Sequence, residues 1–187
     1  ANMVEYWHWS TLHYGQETYW RGVLGPDLQP KRTYHEFKTT AKQFEKIGSR
    51  IVDLKKKNKV AILYSHDSYH ALGFMPYTDK SNYPIDMVHR ALYFQNIETD
   101  IIPCDQLTDF SSYTMLVIPP LYVATDELLK AIDQFVQSGG HVVMMHKSGY
   151  CNEHSAVRAT LAPGPLRNAC GFYYQEYSTI SSLSLKD

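Results

Sequence analysis

Apolar side chains recur at helical spacing in the first third of the chain. They stand at steps of three or four residues, at Phe37, Ala41, Phe44, Ile47, Ile51 and Leu54. Just before them, Thr33 and Glu36 match the T-x-x-E capping box that often opens a helix. The pattern predicts an amphipathic helix over residues 34–57, with one apolar face along its length.

From Lys59 onward, short apolar runs alternate with segments of helical spacing. The runs predict strands near residues 60–65, 99–103, 114–118 and 141–145. Helices are predicted from Pro84 and over residues 126–137, while residues 66–83 are predicted to form a loop. Strands and helices in this order, with short connections, are typical of an open and mainly parallel sheet. The predicted fold class is therefore α/β, a flavodoxin-like or amidotransferase-like three-layer domain.

Composition narrows the class of protein. The 187 residues include 18 basic and 19 acidic side chains, a formal net charge of −1, and 44% are hydrophobic. So small a net charge offers no electrostatic basis for binding nucleic acid or an anionic membrane, and no apolar run approaches the roughly 20 residues of a membrane span. Three cysteines without a C-x-x-C pair argue against a disulfide framework. We expect a globular, cytoplasmic protein with no signal peptide, no nucleic-acid partner and no membrane partner.

In open parallel sheets, ligands bind beyond the carboxyl ends of the strands. Those positions carry His66, Asp67, Cys104, Asp105, Pro119, Pro120, His146 and Lys147. The segment after the first predicted strand, "SHDSYH", has no glycine-rich phosphate-binding loop, and His66 and His70 lack the glutamate of an H-E-x-x-H site. The sequence therefore predicts neither a cofactor nor a metal site.

One alternative chemistry for the sheet domain is a cysteine nucleophile. The stretch "GYCNE" places Cys151 just after a predicted strand, as in the class I amidotransferases. A tight elbow around such a nucleophile needs glycine on both sides, but Glu153 occupies the second position. Cys151 is therefore interpreted as an ordinary loop cysteine, and catalysis by its thiol is the less favoured hypothesis.

The stretch "YWHWSTLHYGQETYW", residues 6–20, is rich in aromatic side chains. It contains all three tryptophans and places six aromatic residues around one carboxylate, Glu17. Such a composition suits a sugar-binding pocket, because a carboxylate accepts hydrogen bonds from hydroxyls and an aromatic ring packs on the sugar. The alternative is an aromatic core cluster at a domain interface. Hydrolysis of a glycosidic bond also needs a second carboxyl group across that bond.

The order of several motifs points to a family. The stretch "YWHWSTLHYGQETYWRGVLGPD" resembles the eighth strand and following loop of the (β/α)8 barrel in β-galactosidases of glycoside hydrolase family 42. Downstream, "YHEFK", "KVAILYS" and "APGPLRNACGF" resemble, in the same order, the last barrel helix and the trimerisation domain of those enzymes. The resemblance implies that residues 1–57 are the last βα unit of the catalytic barrel. It also implies that residues 58–187 are the trimerisation domain, incomplete at its carboxyl end.

The same resemblance implies a function. Enzymes of this family are retaining β-galactosidases that hydrolyse terminal β-D-galactosyl residues, and the positions matching Glu17 and Trp20 contact galactose hydroxyls. The second of these positions is histidine in some members. With Trp9 from the same stretch, Glu17 and Trp20 form the expected substrate-binding set. The expected partners are a β-galactoside and further copies of the chain in a homotrimer.

No catalytic residue is expected in this chain, because the resemblance places both catalytic glutamates on earlier barrel strands. The chain alone is therefore expected to be inactive. Two alternatives stay open. One is a carboxyl pair within the chain, for instance Glu5 with Glu17, although a closed barrel needs further strands. The other is a stand-alone flavodoxin-like binding module without catalysis.

Overall fold

The computed structural model describes residues 2–75, 83–105, 109–178 and 184. The chain divides into two compact units, Ala1–Lys56 and Lys57–Asp187. An irregular aromatic segment and one long helix make up the first unit, and a β-sheet with its helices makes up the second. The aromatic stretch therefore lies in the first unit, and all four strands lie in the second.

Helix α1, Arg32–Ile51, is the predicted amphipathic helix, but it begins differently from the prediction. Its N-cap is Lys31, which makes no side-chain capping bond, so the predicted capping box is wrong. Thr33 lies inside the first turn, and Glu36 instead pairs with the guanidinium of Arg32 one turn earlier. Because an exposed i,i+4 ion pair adds little stability, α1 begins without a strong cap.

The carboxyl end of α1 lies at Ile51, before the predicted end at residue 57. Val52 is already extended, and Asp53 has a φ of 56°, in the left-handed region. Asn2 fastens this turn, since its Nδ2 donates to Oδ1 of Asp53 (2.9 Å) and its Oδ1 accepts from the Asp53 backbone N–H (3.0 Å). The apolar spacing continues to Leu54, so periodicity contained no signal of this break.

The second unit is built on a four-stranded sheet. Its strands are β1 (Val60–Tyr64), β2 (Thr99–Pro103), β3 (Met115–Ile118) and β4 (His141–Met144). The strand order is β2-β1-β3-β4, and the three pairings are all parallel. Val60 lies opposite Thr99 on one side and opposite Met115 on the other. The predicted parallel α/β sheet is confirmed, and each strand lies within one residue of its predicted bounds.

Among the described residues between β1 and β2, the chain forms two helices. The second, α3 (Tyr83–Phe94), begins one residue before the predicted Pro84. The first, α2 (His66–Phe74), replaces the loop that was predicted from residue 66, so that prediction is wrong there. The rest of the predicted loop includes residues 76–82, which lie outside the described residues.

Helix α2 has a well-formed amino-terminal cap. The Ser65 Oγ accepts a hydrogen bond from the Ser68 backbone N–H at 3.0 Å, and Asp67 adds a negative charge to the first turn. Ser68 is itself buried, and its hydroxyl donates to the Val123 carbonyl at 2.9 Å. Because serine caps and acidic first turns favour helices, "SHDS" contained a helix signal that the sequence interpretation missed.

Helix α4, Asp126–Gln137, packs on one face of the sheet and contributes four side chains to the larger core cluster. Its buried residues Leu128, Leu129, Ile132 and Phe135 form one cluster with Ala61, Leu63, Ile102, Leu116 and Ile118. Thr125 caps this helix, because its Oγ1 accepts from the Leu128 backbone N–H at 3.1 Å. At the other end, Gly139 takes a φ of 92°, which favours glycine, and the helix stops at the predicted residue 137.

Beyond β4 the described chain is largely irregular. It contains a 3-10 turn, Gly164–Leu166, and a four-residue helix, α5, Arg167–Cys170. Leu166 is buried in the same cluster as α4, so this irregular segment closes the core on that side.

Candidate functional site

Trp9 is placed by contacts with the start of α1. Its ring makes edge contacts with Tyr34 and Phe37, each at a centroid distance of 6.1 Å. Its backbone carbonyl accepts a hydrogen bond from the Leu24 N–H at 2.8 Å. The ring is nevertheless 53% exposed, so one side of it is available to a ligand.

Glu17 and Trp20 share one tight turn. The Trp20 backbone N–H donates to the Glu17 carbonyl at 3.0 Å, and the Trp20 ring lies 4.9 Å from that of Tyr19. Glu17 is exposed and Trp20 is 51% exposed. Within the described residues, the Glu17 carboxylate forms no hydrogen bond or ion pair, which leaves its oxygens free to accept hydrogen bonds from a ligand.

A close backbone approach holds the two ends of the aromatic segment together. The His8 carbonyl accepts from the Val23 N–H at 3.0 Å, and the Thr11 hydroxyl donates to the Leu24 carbonyl at 3.1 Å. A Cβ atom at Gly22 would lie 2.3 Å from the carbonyl carbon of Ser10, so only glycine fits there. Gly22 therefore permits the return of the chain that positions the loop containing Glu17.

The six aromatic side chains of residues 6–20 do not form a buried core. At least half of the surface of each side chain is exposed; the six are Tyr6, Trp7, Trp9, Tyr14, Tyr19 and Trp20. Exposed aromatic side chains in such number often mark a binding site or an interface. These rings therefore form no core within the first unit, and both a sugar-binding pocket and an aromatic cluster at a domain interface stay open.

The structure brings together part of the predicted substrate-binding set. Among the described residues, one backbone hydrogen bond joins Glu17 to Trp20, whereas the contacts of Trp9 are with α1 and Leu24. Glu5, the alternative partner for Glu17 in a carboxyl pair, is exposed.

The second unit has a cleft at the carboxyl edge of its sheet, where ligands bind in parallel α/β folds. Its volume is about 610 Å³, and its charged lining comprises His66, Asp67, Asp105, Glu127 and Glu153. A second cavity lies between the ends of β1 and β3, with Tyr64, Pro119 and Pro120 in its wall. Its volume of about 60 Å³ suits water rather than a sugar ring.

The cysteines of the second unit are poor nucleophiles. Cys151 is completely buried beside Tyr122 and Val123, so its thiol is inaccessible to a substrate. Burial, with a smaller contribution from the Asp105 charge, raises the pKa of Cys104 to about 12. Because the thiolate is the reactive form, neither side chain fits the amidotransferase hypothesis.

The described residues contain neither a metal-binding cluster of three or more ligands nor a membrane-spanning helix. These residues contain no cluster of three or more His, Cys, Asp or Glu side chains able to hold a metal ion. Among the described helices, none combines the length and the apolar character that crossing a bilayer requires.

Known proteins match the chain over almost its whole length. A model of the β-galactosidase trimerisation domain matches residues 58–184. The β-galactosidase BgaA of Clostridium cellulovorans is 28% identical over 182 residues, covering 96% of this chain and 27% of the relative. LacZ, a β-galactosidase of Lactobacillus acidophilus, is 29% identical over 185 residues with the same coverage. The chain thus spans about a quarter of the length of these curated relatives.

Solved structures match the chain as well. A β-galactosidase from Bacillus circulans sp. alkalophilus superposes with a TM-score of 0.80 and 27% identity, over 95% of this chain and 27% of that one. A catalytic mutant of Gan42B, a GH42 β-galactosidase from G. stearothermophilus, gives a TM-score of 0.75 and 28% identity, over 87% and 24%. The family model covers well over half of the chain, so this chain belongs to the family 42 β-galactosidases and contains their trimerisation domain.

Proposed function

We propose that this chain is part of a retaining β-galactosidase that hydrolyses terminal β-D-galactosyl residues. In that enzyme the chain supplies substrate contacts and subunit association. The observation that carries the proposal is the exposed, unpaired carboxylate of Glu17 in one turn with Trp20, inside a segment of half-exposed aromatic rings. The relatives named β-galactosidase support it, because they align with this aromatic segment as well as with the sheet domain.

The proposal assigns residues 1–57 to the end of a (β/α)8 catalytic barrel. Helix α1 is its last helix, and the segment before α1 is the last strand with its loop. A barrel strand makes its hydrogen bonds to neighbouring barrel strands. Residues 2–9 form no regular strand in this chain, as expected if those neighbouring strands belong to another part of the enzyme.

Residues 58–187 are then the trimerisation domain, with a flavodoxin-like arrangement. The strand order β2-β1-β3-β4, with every pairing parallel, supports that label, because flavodoxin-like sheets begin with the order 2-1-3-4.

The three predicted contacts have distinct roles in this proposal. The Glu17 carboxylate accepts hydrogen bonds from neighbouring galactose hydroxyls. Trp20 presents either its indole N–H or its ring face to the sugar, and Trp9 packs its exposed face against it. Hydrogen bonds to a charged acceptor discriminate strongly between sugars, since a sugar lacking the hydroxyl leaves the acceptor unpaired.

The catalytic pair is proposed to lie outside this chain. Retaining hydrolysis uses an acid and a nucleophile about 5 Å apart on opposite sides of the bond. One carboxylate in the aromatic loop cannot fill both roles. The purified chain is therefore expected to leave a chromogenic galactoside intact, and turnover that persists after removal of contaminating enzyme would overturn this part of the proposal.

The substrate contact is tested in a full-length enzyme that contains this chain. Glu17→Ala is expected to lower kcat/KM by about 30-fold, because charged hydrogen bonds to the substrate are lost. Glu45→Ala is the matched control, since Glu45 is also exposed but lies on α1 away from the loop. Equal kinetics for the two variants would remove Glu17 from the site.

Self-association is tested on the chain itself. We expect light scattering to detect a discrete species with three times the 21.6 kDa mass of the chain. A monomer would favour the alternative of a stand-alone binding module. A broad distribution of heavy species would mean that exposed apolar surface, rather than a specific interface, drives association.

A further inference from the structure

His66 and His70 form a side-chain pair on the first turns of α2. Both side chains are exposed, and their Nε2 atoms lie 2.8 Å apart. The pair is possible only because residues 66–74 are helical, which stacks positions four apart on one face. Two imidazole nitrogens held side by side are a chelating arrangement, since imidazole is a common ligand of divalent transition metals.

We propose that His66 and His70 form a two-histidine binding site for a divalent transition-metal ion, Cu²⁺ or Ni²⁺. Both Nε2 atoms bind the metal, and water completes its coordination. The described residues supply no third His, Cys, Asp or Glu ligand at this position. Both histidines belong to the second unit, whereas the proposed sugar-binding loop belongs to the first.

The pair is joined by a hydrogen bond, because one Nε2 carries a proton that the other accepts at 2.8 Å. A divalent metal ion would take the place of that proton and bind both nitrogens. The affinity of nitrogen ligands for divalent metals rises along the series from Mn²⁺ through Ni²⁺ to Cu²⁺ and falls at Zn²⁺. The ligand type therefore favours Cu²⁺ and Ni²⁺.

A neighbouring hydroxyl prepares His66 for this role. The Tyr64 Oη lies 3.1 Å from Nδ1 of His66. When Nε2 binds a metal, Nδ1 carries the ring proton and donates it to the tyrosine oxygen. Such an outer hydrogen bond fixes the tautomer and the ring orientation of a metal-binding histidine.

The charge beside His66 favours a cation. His66 lines the 610 Å³ cleft, whose described lining also includes the carboxylates of Asp67, Asp105, Glu127 and Glu153, whereas His70 lies outside that lining. A cleft lined by one sign of charge raises the local concentration of ions of the opposite sign. These carboxylates increase the chance of metal capture without acting as ligands.

Calorimetric titration of the 187-residue chain with Ni²⁺ tests the site, because Ni²⁺ does not oxidise the free thiols. His70→Gln is expected to weaken Ni²⁺ binding by at least about 10-fold, since a ligand is lost and ligand loss costs no less than loss of an outer-shell partner. His89→Gln, which removes a lone exposed histidine on α3, is expected to leave it unchanged. Tyr64→Phe should weaken binding less than His70→Gln does.

Two results would overturn the proposal. The first is equal Ni²⁺ affinity for His70→Gln and the parent chain, with circular dichroism showing both folded. The second is an equal loss of Ni²⁺ affinity in His89→Gln and His70→Gln, which would show that Ni²⁺ binding does not depend on the pair. A Cu²⁺ electron paramagnetic resonance spectrum with two equivalent nitrogens, lost in His70→Gln, would support it independently.

Discussion

Helices α1 and α4 have the same kind of amphipathic pattern and very different burial. Helix α4 buries four apolar side chains against the sheet, whereas α1 has no buried residue over its 20 positions. Phe44 and Ile47 of α1 remain 42% and 43% exposed. An apolar groove of about 560 Å³ runs along this face within the first unit, with Met3, Val4 and Phe37 in its walls.

The difference shows what periodicity can and cannot predict. A stripe at helical spacing predicts that a helix forms and which face seeks cover. It does not predict whether the covering surface belongs to the same compact unit. For α1, the barrel proposed for the full-length enzyme would provide that surface, so the loosely covered face of α1 and the proposed sugar-binding loop would have one explanation.

The largest expected effect is a direct test of this difference by matched substitutions. Ile132→Ala in α4 is expected to lower the free energy of unfolding by about 3 kcal/mol, because Ile132 is only 1% exposed and its removal leaves a cavity. Ile47→Ala in α1 should cost less than about 1 kcal/mol in the same chain. Urea denaturation of the two variants measures both values.

Both substitutions remove the same atoms from an amphipathic helix. Equal losses in the free energy of unfolding for Ile132→Ala and Ile47→Ala would therefore contradict the inferred difference in burial between α4 and α1. The Ile47 variant also has a second use. In a full-length enzyme its cost is expected to rise, because the barrel would then cover that face. A cost that stays small there would argue against the assignment of α1 to a barrel.

A smaller effect is expected at the amino-terminal caps of the same two helices. Thr125→Ala should destabilise the chain by about 1 kcal/mol, because the Thr125 hydroxyl accepts from the Leu128 N–H. Thr33→Ala should be neutral or slightly stabilising, since Thr33 lies inside α1 and alanine has the higher helix propensity. Chemical denaturation of both variants measures their free energies of unfolding. A loss at Thr33 as large as that at Thr125 would support the capping box that the sequence predicted.

The sequence predicted the elements whose boundaries depend on nearby residues and missed those that depend on distant ones. The four strands and α4 were predicted almost to the residue, because apolar runs and a glycine stop act within a few positions. The end of α1 was not, since it depends on Asn2, a residue about fifty positions away that fastens Asp53. Helix α2 was missed because polar and aromatic residues masked a serine cap.

For the candidate site, the sequence supplied a hypothesis but not a shape. The composition of residues 6–20 and the family resemblance together proposed Glu17, Trp20 and Trp9 as sugar contacts, and that role stays a prediction. Periodicity does not predict the course of such a loop, because that course depends on contacts such as the approach of Gly22 to Ser10. The exposure of the aromatic rings required coordinates, since clustered aromatic residues are usually buried in a core.

The smallest expected effect concerns pH and the second unit alone. Burial, with a smaller contribution from Lys147, holds the pKa of His146 below its ordinary value. At a pH between the two pKa values the unfolded chain binds a proton that the folded chain does not. The stability contributed by neutral His146 is therefore present above about pH 6.5 and is lost as the pH falls through the lowered pKa of the folded state.

His146→Gln should remove this part of the pH dependence, so the urea midpoint of the variant should fall less between about pH 7.5 and about pH 5 than that of the parent chain. His154→Gln is the control, because the His154 side chain is 80% exposed and its substitution should leave the pH dependence unchanged. The effect is small because the His146 side chain is exposed, so water still solvates its charged form. A variant at His146 with the same pH dependence as the parent would show that the acid sensitivity of the sheet domain arises elsewhere.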